Sequence, residues 1–395
     1  MSARTTTPWP LIALFTAGYL APYLLPTTVG RLDSGLPLSA TQAGAVGSAL
    51  LLSSAAAGFL LASRVDRVGP RFLARTGLVL AVLGYGGAAL THTVPAVIAG
   101  VLVGGFGSGT ATAVAATGIA AQPDPHRTTT FGLLGVSALA GAVYLTVPHL
   151  GPGHGQPLAA IALTALAVWP LTGRLSASTA PRRTRHQAKS PLPHLRAGLL
   201  LALTLPCWSL AQNSLWGVSG RIGLDQAHLT EATVGAVFAI ALGAGLLGVI
   251  GAGALGPRLG RAVPIGAGTA LIAACIALSA SATDLTTFAT GEIAWNTLYP
   301  IVLSYVIGLA ASLDPRGRWA VLVGSASSLG TAAGPLAGSL LSAQAGFAAM
   351  GLVLAAGLLL IAAPMTAVAL GAGRRHLPVV QVPVETPVYD KATAA

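Results

Sequence analysis

Glu292, Trp295, Asn296 and Tyr299 follow an i, i+3, i+4, i+7 spacing inside a long apolar stretch, so on a helix they share one face. A carboxyl, an indole, an amide and a phenol on one face can hold a small, partly apolar organic molecule. The carboxyl can also take up and release a proton. Glu292 is the only acid placed within a membrane-spanning run. Lipid penalises such a group, so it should face a helix bundle or a watery cavity. About seven residues at ~1.5 Å each put it roughly 10 Å into a ~30 Å hydrocarbon core. Glu292 is therefore the candidate proton-coupling residue; the alternatives are a helix that begins later and leaves it near the headgroups, or a plain bond to a neighbouring helix.

A second constellation supports the first. Trp208, Gln212, Asn213 and Trp216 lie on one apolar run, and Tyr19 and Tyr23 on another. Aromatic faces with a few amides again suit a small organic ligand. Tyr19, Tyr23, Gln212, Asn213, Trp216, Trp295, Asn296 and Tyr299 form the candidate substrate set; Trp208, in mid-run, reads as packing. Arg31 and Arg221 each precede an acid, Asp33 and Asp225. They read either as an outer gate that attracts anions or closes by pairing with those acids, or as solvated helix ends worth little. No histidine sits securely within a run, and no paired His/Glu spacing suggests a metal. Gly-x-Ser-x-Gly and phosphate-loop patterns are missing too, so neither an enzyme nor a cofactor is expected.

The elements that must carry these residues are membrane helices. Hydrophobic residues make up 54% of the 395, charged residues only 8%, and mean hydropathy is +0.76. No soluble domain of this length needs so little charge. Cys207 and Cys275 sit in separate apolar runs and read as small buried thiols. Apolar runs of spanning length fall near 9–30, 40–62, 72–91, 94–121, 129–148 and 157–173, then near 197–219, 231–255, 262–282, 285–311, 318–341 and 345–371. The fold class expected is an all-α membrane protein with twelve transmembrane helices in two six-helix halves, 1–173 and 197–372. Residues 174–196 read as a basic cytoplasmic linker near anionic headgroups, and 373–395 as a disordered cytoplasmic tail.

The halves read as copies. Gly118-Ile119-Ala120-Ala121-Gln122-Pro123-Asp124-Pro125 returns as Gly308-Leu309-Ala310-Ala311-Ser312-Leu313-Asp314-Pro315, an offset of 190. Gly30-Arg31 returns as Gly220-Arg221 at the same offset. A half-chain repeat is the usual architecture of secondary transporters. Subtracting the offset maps Glu292, Trp295, Asn296 and Tyr299 onto Leu102, Gly105, Phe106 and Gly109. The tenth run is polar where its twin is glycine-rich and suited to close packing. With both termini in the cytoplasm, inner segments hold all but two of the 21 Lys and Arg residues; the exceptions are Arg31 and Arg221. The +11 formal charge is thus a topology signal and not a nucleic-acid surface.

Between the second and third runs stands Ala62-Ser63-Arg64-Val65-Asp66-Arg67-Val68-Gly69-Pro70-Arg71. It resembles the Gly-x-x-x-Asp-Arg-x-Gly-Arg-Arg loop of the major facilitator superfamily, matching at Asp66, Arg67, Gly69 and Arg71. The resemblance implies a twelve-helix alternating-access transporter in which Asp66, Arg67 and Arg71 latch the cytoplasmic side. The fourth- and fifth-helix signatures of drug/proton antiporters are missing: Val101 stands at the arginine position, and 135–144 hold no proline. The expected protein is a monomeric bacterial inner-membrane transporter that exchanges protons for a small organic solute, running as efflux. Proton-linked import of an organic anion drawn by Arg31 and Arg221 is the rival, and a non-transporting sensor or scaffold the reading from another class.

Overall fold

The structure, a computed structural model, describes residues 8–175, 191–256 and 259–374, and among these it is helical without a strand. Most of the expected linker (176–190) and nearly all of the expected tail (375–395) lie outside the described residues. The first six spans are the pair α1 (Trp9–Tyr23) and α2 (Leu25–Gly35), then α3 (Ala40–Leu61), α5 (Pro70–Leu90), α6 (Val94–Ala120), α7 (Pro125–Thr146) and α8 (Gly155–Val168). A single turn, α4 (Val65–Val68), joins α3 to α5. The second set is α9 (Leu195–Arg221), α10 (Glu231–Leu255), α11 (Ala262–Ala280), α12 (Leu285–Ser312) and α13 (Arg318–Arg374).

By length and hydropathy, 10 helices among the described residues can cross a membrane, and the pair α1–α2 makes 11. The twelfth is inside α13. Its 57 residues would make a rod of about 85 Å at ~1.5 Å per residue, far beyond a ~30 Å core. Gly346 divides it: its φ of 80° and ψ of 165° lie in a region essentially reserved for glycine. The last two spans are thus two helices that meet at Gly346, as the separate runs 318–341 and 345–371 lead one to expect.

The first span departs from the straight run expected over 9–30. It bends by 48° between α1 and α2 and continues to Gly35. Pro26 is the cause. It has no N–H to offer the Pro22 carbonyl one turn back, so the helical ladder cannot continue through this point.

The repeated segments do the same work in both halves. Asp124 caps α7 by accepting from the Arg127 N–H at 2.9 Å. Asp314 accepts from the N–H groups of Arg316 at 3.2 Å and Arg318 at 3.3 Å where α13 begins. Each satisfies backbone donors that a helix start leaves free. The basic turns match as well, with Gly69 at φ 100° and Gly260 at φ 63°.

Glycines of α6 set the packing of the first half. Gly104 and Gly107 abut Tyr85 and Ala81 of α5, while Gly105 and Gly109 abut the carbonyls of Leu50 and Ser54 on α3. A Cβ at any of them would collide, so these positions fix the distance between backbones. The halves meet where α2 packs on α9, α3 on α13 and α7 on α10. The Leu336 N–H donates to the Ser48 hydroxyl at 2.9 Å across that junction.

Replacing Gly346 by alanine is expected to lower the melting temperature in detergent by a few degrees, since about 1–3 kcal/mol of backbone strain is imposed. Gly357→Ala, in a helical stretch with nothing near its absent Cβ, should leave the melting curve unchanged.

Candidate functional site

Asp284 starts α12 by accepting from the Thr287 N–H at 3.0 Å. With the helix beginning at Leu285, Glu292 lies two turns inside it, about 10 Å along the axis. Its side chain is fully buried. Oε1 accepts hydrogen bonds from Ser219 of α9 at 2.7 Å and Ser279 of α11 at 2.6 Å. Oε2 is buried without a partner. Gly291, next in the chain, brings α11 close: a Cβ there would strike Ser279. Nothing in the sequence marks Ser219 or Ser279, because serines occur in seven of the twelve runs.

The other candidates divide into those aimed at this carboxyl's neighbourhood and those turned away. Trp295 donates its indole N–H to Gln212 Oε1, and Gln212 Nε2 is buried without a partner. Asn296 bends back to the Glu292 carbonyl at 3.0 Å. Asn213 donates to the Ser209 carbonyl at 2.9 Å and to Thr331 of α13 at 3.4 Å. Both asparagines are therefore occupied with helix backbones. Tyr299 stacks on Trp208, with centroids 5.2 Å apart and planes at 19°. In the other half, Tyr19 stacks on Phe15, with centroids 4.4 Å apart and planes at 23°.

Tyr299 and Trp208 join a longer aromatic column. Tyr299 meets Trp295 at 5.9 Å, Trp295 meets Trp216 at 5.6 Å, Trp216 meets Phe238 at 5.3 Å, and Phe238 meets Tyr144 at 5.1 Å. The column runs from mid-membrane to the end bearing Arg31 and Arg221. Phe238 and Tyr144 were not legible as site residues, since neither has a polar or aromatic neighbour one helical turn away to mark a shared face.

At its outer end the column closes the break in the first span. The carbonyl that Pro26 leaves without a helical donor, that of Pro22, accepts the Trp216 indole N–H at 3.1 Å. The adjacent Tyr23 carbonyl accepts the Tyr144 hydroxyl at 2.5 Å. Pro26 and Trp216 are themselves 190 residues apart. One copy of the repeat breaks the helix; the same position in the other copy supplies the missing donor.

Beyond the column lies a cavity of about 280 Å³ lined by Arg31, Asp33, Arg221, Asp225, Glu231 and the rims of Tyr144 and Phe238. Arg31, with 6% of its side chain exposed, pairs with Glu231 of the other half at 2.5 Å. It also donates to the Gly151 carbonyl at 2.8 Å. Arg221 faces Asp33 of the other half at 4.0 Å and donates to Ser339 at 3.1 Å and Ser342 at 3.4 Å. Its Nε is buried without a partner. The ion pairs thus cross between halves, and Glu231, the first residue of α10 and of the 231–255 run, is the partner that the sequence did not single out. The repeat does not extend to the acids: offset by 190, Glu231 corresponds to Thr41 and Asp33 to Gly223.

At the opposite end, Asp66 and Arg67 are exposed. Arg71 donates to the carbonyl of Leu175, at the start of the segment that follows the first half.

The sequence profile described as Major Facilitator Superfamily matches residues 6–313, and the chain belongs to that superfamily. No curated protein matches it by sequence. Among solved structures it is similar to the D-xylose-proton symporter, with TM-score 0.73 and 16% identity over 91% of this chain and 96% of that one. It is also similar to the POT family transporter PepTSo (TM-score 0.71, 13% identity, 93% and 98% covered). A third is the human organic anion transporter MFSD10, or TETRAN (TM-score 0.67, 17% identity, 91% and 98% covered). At these identities the likeness establishes the fold alone.

Trp216→Phe keeps the ring and removes the donor to Pro22. The cost of about 1 kcal/mol should shift the closed end toward opening by roughly fivefold. A membrane-impermeant maleimide reacting with Thr27→Cys, in a background without Cys207 and Cys275, should label correspondingly faster. An unchanged labelling rate would mean that the bond does not hold the closure.

Proposed function

We propose that this superfamily member is a proton-coupled secondary transporter, with Glu292 carrying the proton and the aromatic column beside it receiving a small organic solute. The observation that carries this reading is the Glu292 carboxyl: buried in a membrane span, one oxygen held by two serines, the other free to take a proton. A fixed structural acid would be expected to have both oxygens engaged or a cation beside it. Gln212 and Trp295 lie against the same helix pair and offer an amide N–H and ring faces to a ligand.

The transport cycle is alternating access. The bonds that join the halves gather at the end bearing Arg31 and Arg221, so this closed end and the basic-loop end are the two gates. With the arginine-rich loops in the cytoplasm, the closed gate is the outer one, and solute enters from inside. In the opposite state Asp66, Arg67 and Arg71 take up the latching role of the superfamily loop. A monomer in a bacterial inner membrane, exporting solute against inward proton flow, completes the proposal.

Purified protein in proteoliposomes tests it. An imposed proton gradient should drive solute flux, and reversing the gradient should reverse its sign if the protein is an antiporter. Glu292→Gln, which keeps shape and serine contacts, should abolish gradient-driven accumulation while retaining solute-for-solute exchange. Gradient-driven flux undiminished in Glu292→Gln would exclude the proton role.

A further inference from the structure

The structure assigns a charge to the solute: we infer that it is an organic cation, a positively charged centre carried on an apolar or aromatic body. The inference rests on the transporter reading above and on three independent features of the route.

The first is the balance of charge at the outer gate. Two arginines line that cavity against three acids, Asp33, Asp225 and Glu231. Arg31 is neutralised by Glu231 at 2.5 Å, and Arg221 faces Asp33 and also feels Asp225. Both guanidiniums face acids, and the surplus is negative. This argues against anion import through Arg31 and Arg221: those side chains are engaged in closing the gate.

The second is the column itself. The π-faces of Tyr299, Trp295 and Trp216 lie in series between the membrane centre and the gate. Such faces attract a cation and are indifferent or unfavourable to an anion. The third is Glu292, whose second oxygen is buried beside the column without a partner. A single carboxyl cannot hold a proton and a cation together. One displaces the other, and each turnover then moves a proton against a monovalent cation in electrically neutral exchange.

Binding of a pair of ions of equal shape and opposite charge decides the matter. Tetraphenylphosphonium and tetraphenylborate are measured by equilibrium dialysis against the full-length protein in nanodiscs of neutral lipid, with empty nanodiscs subtracted. Saturable phosphonium binding at least tenfold tighter than borate binding is expected. Glu292→Gln should weaken it about tenfold, and Trp295→Leu roughly three- to tenfold. Equal affinity for both ions, or preference for borate, would overturn the assignment without needing any variant to fold. If phosphonium binds selectively but no proton gradient moves it, the transporter reading fails and the cation site stands. If a gradient moves only neutral or anionic solutes, the transporter reading stands and the cation assignment fails.

Discussion

Hydrocarbon offers no hydrogen bonds, and the architecture of this protein follows from that single deficiency. A polar group that leaves its helical partner must find another inside the protein. The Pro22 carbonyl finds the indole of Trp216, and the Tyr23 carbonyl finds the phenol of Tyr144. Glu292 finds two serines, and Arg31 finds an acid and a carbonyl. Each of these solutions joins separate helices, and several join the two halves. The groups that lipid would reject are therefore the ones that define where the halves close.

The first span illustrates how a local defect becomes a working part. A proline in mid-helix removes one bond and bends the chain, which in isolation is only a loss. Here the bend exposes acceptors toward the other half, and aromatic donors from both halves meet them. The closure so made can also be undone, because each bond is of modest strength in a membrane interior. A gate needs contacts that hold and release, and side chains capping a broken backbone meet both requirements.

Composition, the apolar runs and the 190-residue offset made the twelve-helix, two-half fold legible, because the constraint behind them is nearly one-dimensional: enough apolar residues to cross a bilayer. The repeat also led to Arg31, Arg221 and the divergent face of the tenth span. It did not reveal the bend at Leu24, which turns on one residue within an unbroken apolar pattern. The roles of Asn213 and Asn296 were not legible either. Whether an amide faces a cavity or its own backbone depends on rotamers, which spacing does not encode. Glu231, Ser219 and Ser279 escaped notice because they become partners only when helices far apart in sequence are brought together.

The aromatic column has an optical consequence. Of the six tryptophans in the chain, Trp208, Trp216 and Trp295 belong to this one column, with the last two 5.6 Å apart. Indoles at that separation exchange excitation and quench one another. Their emission therefore depends on the spacing of the rings, and Trp216 is tied by its N–H to the opposite half. Separating the halves at the end bearing Arg31 and Arg221 would break the bond from Trp216 to Pro22, and the protein's own ultraviolet fluorescence would report the loss at that one indole.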